Sequence, residues 1–82
     1  MISAYVLAKV EAGKEREALE KVKTVSGVKK ARTTFGTWDL VIEVSFESIG
    51  DLDKFVFHYL RIIPQVKESM TVICSEEMTQ GI

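Results

Sequence analysis

The sequence predicts an α+β domain in the order strand, helix, strand, strand, helix, strand, folded as one four-stranded antiparallel sheet with both helices on the same face. Three observations carry this expectation. Apolar residues alternate with a period of two over Ile2 to Val10, two later segments repeat apolar residues at helical spacing, and a glycine-containing turn at Gly36-Thr37 joins two further extended segments. The chain has 82 residues, enough for one hydrophobic core and too few for two, so a single domain over 1–82 is expected.

In the first strand Ile2, Ala4, Val6, Ala8 and Val10 alternate with Ser3, Tyr5, Leu7 and Lys9. Ala12-Gly13 breaks it. Over Lys14 to Thr24 the residues Ala18, Leu19 and Val22, with Val25 beyond, share one helical face, while Glu15, Arg16, Glu20 and Lys23 fall elsewhere, which describes an amphipathic helix. Ser26-Gly27 ends it. Extended character resumes over Val28 to Phe35, with Ala31, Thr33 and Phe35 on one face and Val28, Lys30, Arg32 and Thr34 on the other. After the short turn at Gly36-Thr37, Trp38 to Phe46 is rich in β-branched and aromatic residues, so the two segments form a hairpin.

Ser48, with Asp51 three residues later, has capping-box spacing, and Leu52, Phe55, Val56, Tyr59, Leu60 and Ile63 follow as an apolar helical stripe that Pro64 closes. Val66 to Cys74 is the last strand, with Met70, Val72 and Cys74 on one side and Ser69, Thr71 and Ile73 on the other. The tail after Glu76 is polar and is expected to be mobile. This order is the split βαβ, or ferredoxin-like, unit, in which the helices cover one sheet face. The other face still holds Tyr5 and Leu7 and apolar residues of the last strand. Exposed apolar area of that kind marks an interface, so a homodimer joined through the sheet by a two-fold axis is expected.

Composition narrows the function. Eleven lysines and arginines against twelve aspartates and glutamates leave a net charge of −1, so the cationic footprint of a direct nucleic-acid binder is missing. No apolar run approaches the roughly 20 residues needed to cross a bilayer, and Lys9 interrupts the apolar N-terminal segment, so a cytoplasmic protein is expected. The one cysteine, Cys74, forms no intramolecular disulfide and is expected to be buried in its strand as a small hydrophobe. Neither paired cysteines nor a His/Cys cluster offers a metal site, and no cofactor is implied.

The informative segment is Phe35-Gly36-Thr37-Trp38-Asp39, taken together with Ser69 and Thr71. Gly36 permits positive φ and close backbone approach to a carboxylate, while Asp39 can answer an ammonium. Trp38 offers a rigid apolar wall, and the hydroxyls of Ser69 and Thr71 can fix a polar group. Those are the parts needed to hold a zwitterion. The same residues also make an ordinary hairpin connection and ordinary strand positions.

Across nearly its whole length the sequence resembles the ligand-binding domain of the Lrp/AsnC regulators. Gly36-Thr37-Trp38-Asp39-Leu40 is similar to the family's Gly-x-aromatic-Asp-Leu pattern. Asp51-Leu52 through Phe55, and Leu60 to Ile63-Pro64, are similar to its second helix; Val66 to Thr71 is similar to its last strand, with hydroxyl residues two apart. Gln65 stands where the family commonly has glycine, and Trp38 where tyrosine or phenylalanine is usual. The resemblance implies a βαββαβ domain that dimerises through its sheet and assembles further, into an octamer or another ring. It also implies an amino acid or similar metabolite bound near the hairpin between dimers, with Gly36, Thr37, Trp38, Asp39, Ser69 and Thr71 as ligand-binding residues. Family transcription factors carry a helix-turn-helix domain before this module. Here Met1 abuts the first strand, so the expectation is a stand-alone sensing domain of transcription or metabolism, with full-length Lrp/AsnC regulators as possible partners.

Two other readings stay open. Ferredoxin-like chains of this size also form dimeric α+β barrel enzymes, and the chemistry would then fall to His58, the one histidine, which follows Phe57 outside the main apolar stripe. No nucleophile and base stand at recognisable spacing, so no catalytic residue is assigned. The other reading is an assembly-only partner of full-length regulators that binds no metabolite. Amino-acid-binding domains of the ACT type share the strand order, but only Ala12-Gly13 faintly resembles their glycine-rich turn.

Overall fold

The computed structural model describes residues 1–75, and the polar tail beyond Glu76 lies outside the described residues. The elements are β1 (Ile2–Val10), α1 (Glu15–Val22), β2 (Val28–Thr33), β3 (Leu40–Phe46), α2 (Ile49–His58), a 3-10 turn at Leu60–Ile62 and β4 (Val66–Ile73). The sheet runs β2-β3-β1-β4 with every neighbouring pair antiparallel. This is the ferredoxin-like βαββαβ fold.

The period of two in β1 sets the core. Ala4, Val6, Ala8 and Val10 are all buried, and cross-strand pairing continues their face through Leu40, Ile42 and Val44 of β3. Ala18 and Val22 of α1 and Leu52, Phe55 and Val56 of α2 close over them, with Leu60 and Ile63 filling the end. The alanines at 4, 8 and 18 keep the layer between helices and sheet thin. Burying a valine- or leucine-sized side chain contributes roughly 1.5–3 kcal/mol, and this one-sided core holds only a modest number of them.

Each helix end has a physical partner. The Ser48 hydroxyl accepts the Asp51 amide at 3.2 Å, starting α2 as the sequence spacing predicts. Lys14 makes no side-chain cap for α1, and Glu15 and Glu17 in the first turn instead complement the helix dipole. Near the far end of α1 the Tyr59 hydroxyl donates to the Lys21 carbonyl at 2.7 Å, tying the end of α2 to α1. Phe55 lies between Phe46 and Tyr59, tilted against the first and stacked on the second, with centroid distances of 5.6 and 6.1 Å.

Four expectations are corrected. A bulge at Lys29 shifts the β2 register so that Val28 pairs with Val44 and joins Ala31 on the helix-facing side. The β2–β3 connection is six residues, 34–39, so Thr34, Phe35, Trp38 and Asp39 lie outside the strands. α2 stops at His58 and a separate 3-10 turn intervenes before Pro64. Cys74 is exposed and not buried, because it lies just past the end of the edge strand β4, where only one neighbouring strand covers it.

Gly27 holds φ +100°, and a Cβ built there meets the Phe46 ring. Gly27→Ala therefore combines left-handed strain, about 1–2 kcal/mol, with a ring displacement that costs a further 1–3 kcal/mol. For a domain of this size the expected fall in Tm is roughly 10–40 °C, measured by thermal circular dichroism. An unchanged Tm would show that the Ser26-Gly27 turn relaxes without cost, so the variant is read beside Gly13→Ala, where φ is +83° but nothing lies within 4 Å.

Candidate functional site

The C-terminal end of β1, the β2–β3 connection and the start of β4 meet at one end of the sheet. Thr33, Leu40, Ala8 and Ser69 form one cross-strand row there, and residues 34–39 arch beyond it. The arch is fixed from within. The Thr34 hydroxyl donates to the Trp38 carbonyl at 2.7 Å, and the Thr34 amide donates to the Asp39 carbonyl at 2.9 Å. Gly36 takes φ +117°, the left-handed conformation its residue type allows.

Asp39 anchors the arch to β1. Its amide donates to the Ala8 carbonyl at 2.9 Å, and its Oδ2 accepts the Val10 amide at 2.9 Å. A carboxylate has further acceptor capacity, so Asp39 can serve both a strand amide and a cationic ligand group. Trp38 turns toward Lys9, whose Nζ lies 5.5 Å from the ring centroid and 3.7 Å from Glu68. Lys9 belongs to the uncovered register of β1, with Ser3, Tyr5 and Leu7.

Gly36 and Asp39 share a groove of about 710 Å³ between the arch and α1, lined also by Glu15, Arg16, Leu19, Glu20, Lys23, Thr33, Thr34 and Phe35. Its walls interleave cations with carboxylates, and Phe35 at its rim is fully exposed. Thr37 is exposed on the arch. Ser69 and Thr71 lie half-buried on the helix-facing side of β4, opposite Ala8 and Val6. One strand, β1, separates them from β3, which puts Ser69 roughly 10 Å across the sheet from Leu40. The fold thus brings Gly36 and Asp39 together, sets Trp38 beside Lys9, and leaves Ser69 and Thr71 across β1.

Chain-level comparisons agree with this fold. The family description "Lrp/AsnC ligand binding domain" matches residues 3–81. The chain belongs to this family. Among solved structures, FFRP-DM1 is 35% identical with a TM-score of 0.88, covering 92% of this chain and 100% of that one. Hypothetical protein PHS023 from Pyrococcus horikoshii is also 35% identical, with a TM-score of 0.86 and coverage of 94% and 93%. The transcriptional regulator NMB0573 from Neisseria meningitidis, solved as its L-Met complex, shares the fold at 17% identity and a TM-score of 0.85, over 96% of this chain and 53% of that one. No curated protein matches the sequence.

As an Lrp/AsnC ligand-binding domain the chain is a regulatory, ligand-binding module. His58 is exposed at the end of α2. No helix among the described residues is long and apolar enough to cross a membrane. In the sequence Arg16, Glu20 and Lys23 read as a solvated helix face, and nothing there connects them with the hairpin. A signal for the Trp38 environment is present, since Lys9 is the one charged residue of the first strand.

Replacing Thr34 by Val removes the bond to the Trp38 carbonyl. The expected loss is about 1 kcal/mol of stability, with a shift in Trp38 emission, read by urea denaturation followed by fluorescence. An unaltered midpoint and spectrum would mean that the arch keeps its shape without this hydroxyl.

Proposed function

We propose that this chain is an amino-acid-sensing and assembly domain of the cytoplasm, in which a zwitterion or related small metabolite binds at the β2–β3 arch between copies and biases how they assemble. The observation that carries this reading is the groove between α1 and the arch, where Arg16 and Lys23 alternate with Glu15, Glu20 and Asp39. A zwitterion needs both signs within a few ångströms, and Asp39 beside Gly36 supplies the anion next to open backbone. The L-Met complex of the Neisseria regulator supports an amino acid as the ligand class.

In this proposal Gly36, Thr37, Trp38 and Asp39 form one half of the site, and Ser69 and Thr71 of a neighbouring copy complete it. The separation of the two groups within one chain supports a shared site, as does the full exposure of Phe35. The partners are further copies of the chain, as a homodimer and then a ring, and full-length Lrp/AsnC regulators whose control of transcription it adjusts. The uncovered sheet face supports dimerisation. Its rows run from Lys30 and Arg32 on β2 to Tyr5, Leu7, Met70 and Val72 on β1 and β4, so the apolar half is continuous. A ligand shifts assembly only through unequal affinity for the assembled and separate forms. Binding and assembly, with no catalysis, also accord with the open position of His58.

Titration with a panel of amino acids that includes L-methionine, followed by Trp38 fluorescence, tests the site. A saturable change is expected, weakened about tenfold or more in Asp39→Asn, which keeps an acceptor for Val10 but removes the charge. Silence across the panel, with no thermal stabilisation at millimolar ligand, would turn the reading to an assembly-only partner. Light scattering tests the interface: Met70→Glu is expected to reduce the assembly to smaller species. A mass identical to the parent's would remove this face from the interface.

A further inference from the structure

We propose that the end of β1 couples the two half-sites that one chain contributes, the arch and the start of β4, with Asp39 and Gln65 as positioning residues on either side of it. Consecutive amides of a strand point in opposite directions, and at this end the ladder stops on the β3 side and shifts by one residue on the β4 side. Val10 N–H finds no β3 carbonyl, because β3 begins at Leu40, and donates to the Asp39 carboxylate at 2.9 Å. Glu11 N–H, the next amide, donates to the Gln65 carbonyl at 2.8 Å.

On the β4 side a bulge at Lys67 interrupts the ladder, the register passing from Lys9 with Glu68 to Val10 with Val66. Regular pairing therefore ends before Val10 on the β3 side and continues in a register displaced by one residue on the β4 side. Two bonds hold the end of the strand, one to the arch and one to the residue that leads into β4. Gln65 is itself held: its side-chain amide donates to Glu17 at 3.2 Å, and its oxygen accepts from Lys21 at 3.2 Å. The two amides belong to consecutive peptide units that share the Val10 Cα, so a shift of that Cα strains both bonds together, and ordering at Asp39 orders Glu11, Gln65 and the start of β4, from which Ser69 projects. A ligand ammonium on the carboxylate oxygen not bonded to Val10 stiffens the same path. That last step rests on the arch being the ligand site; the junction itself does not.

Amide hydrogen exchange by NMR on the full chain without ligand decides the junction. In Asp39→Ala, exchange at Val10 and also at Glu11 is expected to rise about tenfold, with Asp39→Asn restoring both to within about threefold of the parent. Gln65→Gly, which keeps the carbonyl and cuts the tie to α1, is expected to raise exchange at Val10 from the opposite side, because coupling is reciprocal. Acceleration confined to the amide that lost its partner, in either variant, would overturn the coupling. Millimolar L-methionine then provides a separate arm. Saturation of Trp38 fluorescence with slower exchange at Val10, Glu11 and Ser69 extends the coupling to the bound state; saturation without slowing overturns it there. A silent Trp38 counts against sensing alone, since the ligand-free comparison has already decided the junction.

Discussion

β1 is hydrogen-bonded on both edges and buried on one face, and every other element takes its place from that strand. Its inward residues Ala4, Val6, Ala8 and Val10 leave no room for polar groups and little for large side chains. The helices therefore lie close over the sheet, with α1 against β2 and α2 against β3. The strand order then brings the end of β1, the β2–β3 connection and the start of β4 to one end of the sheet. The candidate site lies there because the topology gathers three chain reversals at that point, where backbone groups leave their ladders and side chains must replace them.

Sequence periodicity reveals β1 and α2 because each shows a pattern with one buried face, but the α2 stripe runs on through Leu60 and Ile63 and hides where the helix ends. The Ser48 cap is legible for the same reason: its chemistry lies within a single turn. β2 is harder. Its basic residues give little hydrophobic contrast, and the Lys29 bulge reverses the face of everything before it without any mark in the composition. The six-residue arch looks like a two-residue turn in the sequence because Thr34, Phe35 and Trp38 have the residue character of strands, while hydrogen bonds made by Thr34 and Asp39 hold them out of the ladder. Cys74 is misplaced by pattern alone because alternation identifies a strand but does not tell an edge from a centre. For the site, the Gly36 and Asp39 pairing is visible in the pattern; the bond that the Val10 amide donates to Asp39 spans 29 positions and emerges only in three dimensions.

The two sheet faces carry different physical problems. The covered face is closed by this chain's own helices. The uncovered face is graded, basic along β2 and apolar toward β4, and the basic edge is further interrupted by a bulge. Charges and bulges discourage indiscriminate strand pairing at an edge, whereas a continuous apolar half favours one defined packing partner. Dimerisation through this face would bury Tyr5, Leu7, Met70 and Val72 without requiring the β2 lysines to lose their hydration.

Adjacent residues of the arch serve these two faces. Asp39 belongs to the groove beside α1, while Trp38 lies against Lys9 in the register of the uncovered face. A small ligand has too few atoms to reorganise a packed core, but it can order a six-residue arch whose conformation depends on a few hydrogen bonds. In the proposed function, ordering on the groove side is then felt one residue away on the assembly side, and through Val10 and Glu11 at the entry to β4. Assembly can respond to the ligand while the core under β1 stays unchanged, which is why the adjustable contacts belong at the end of that strand and not along its middle.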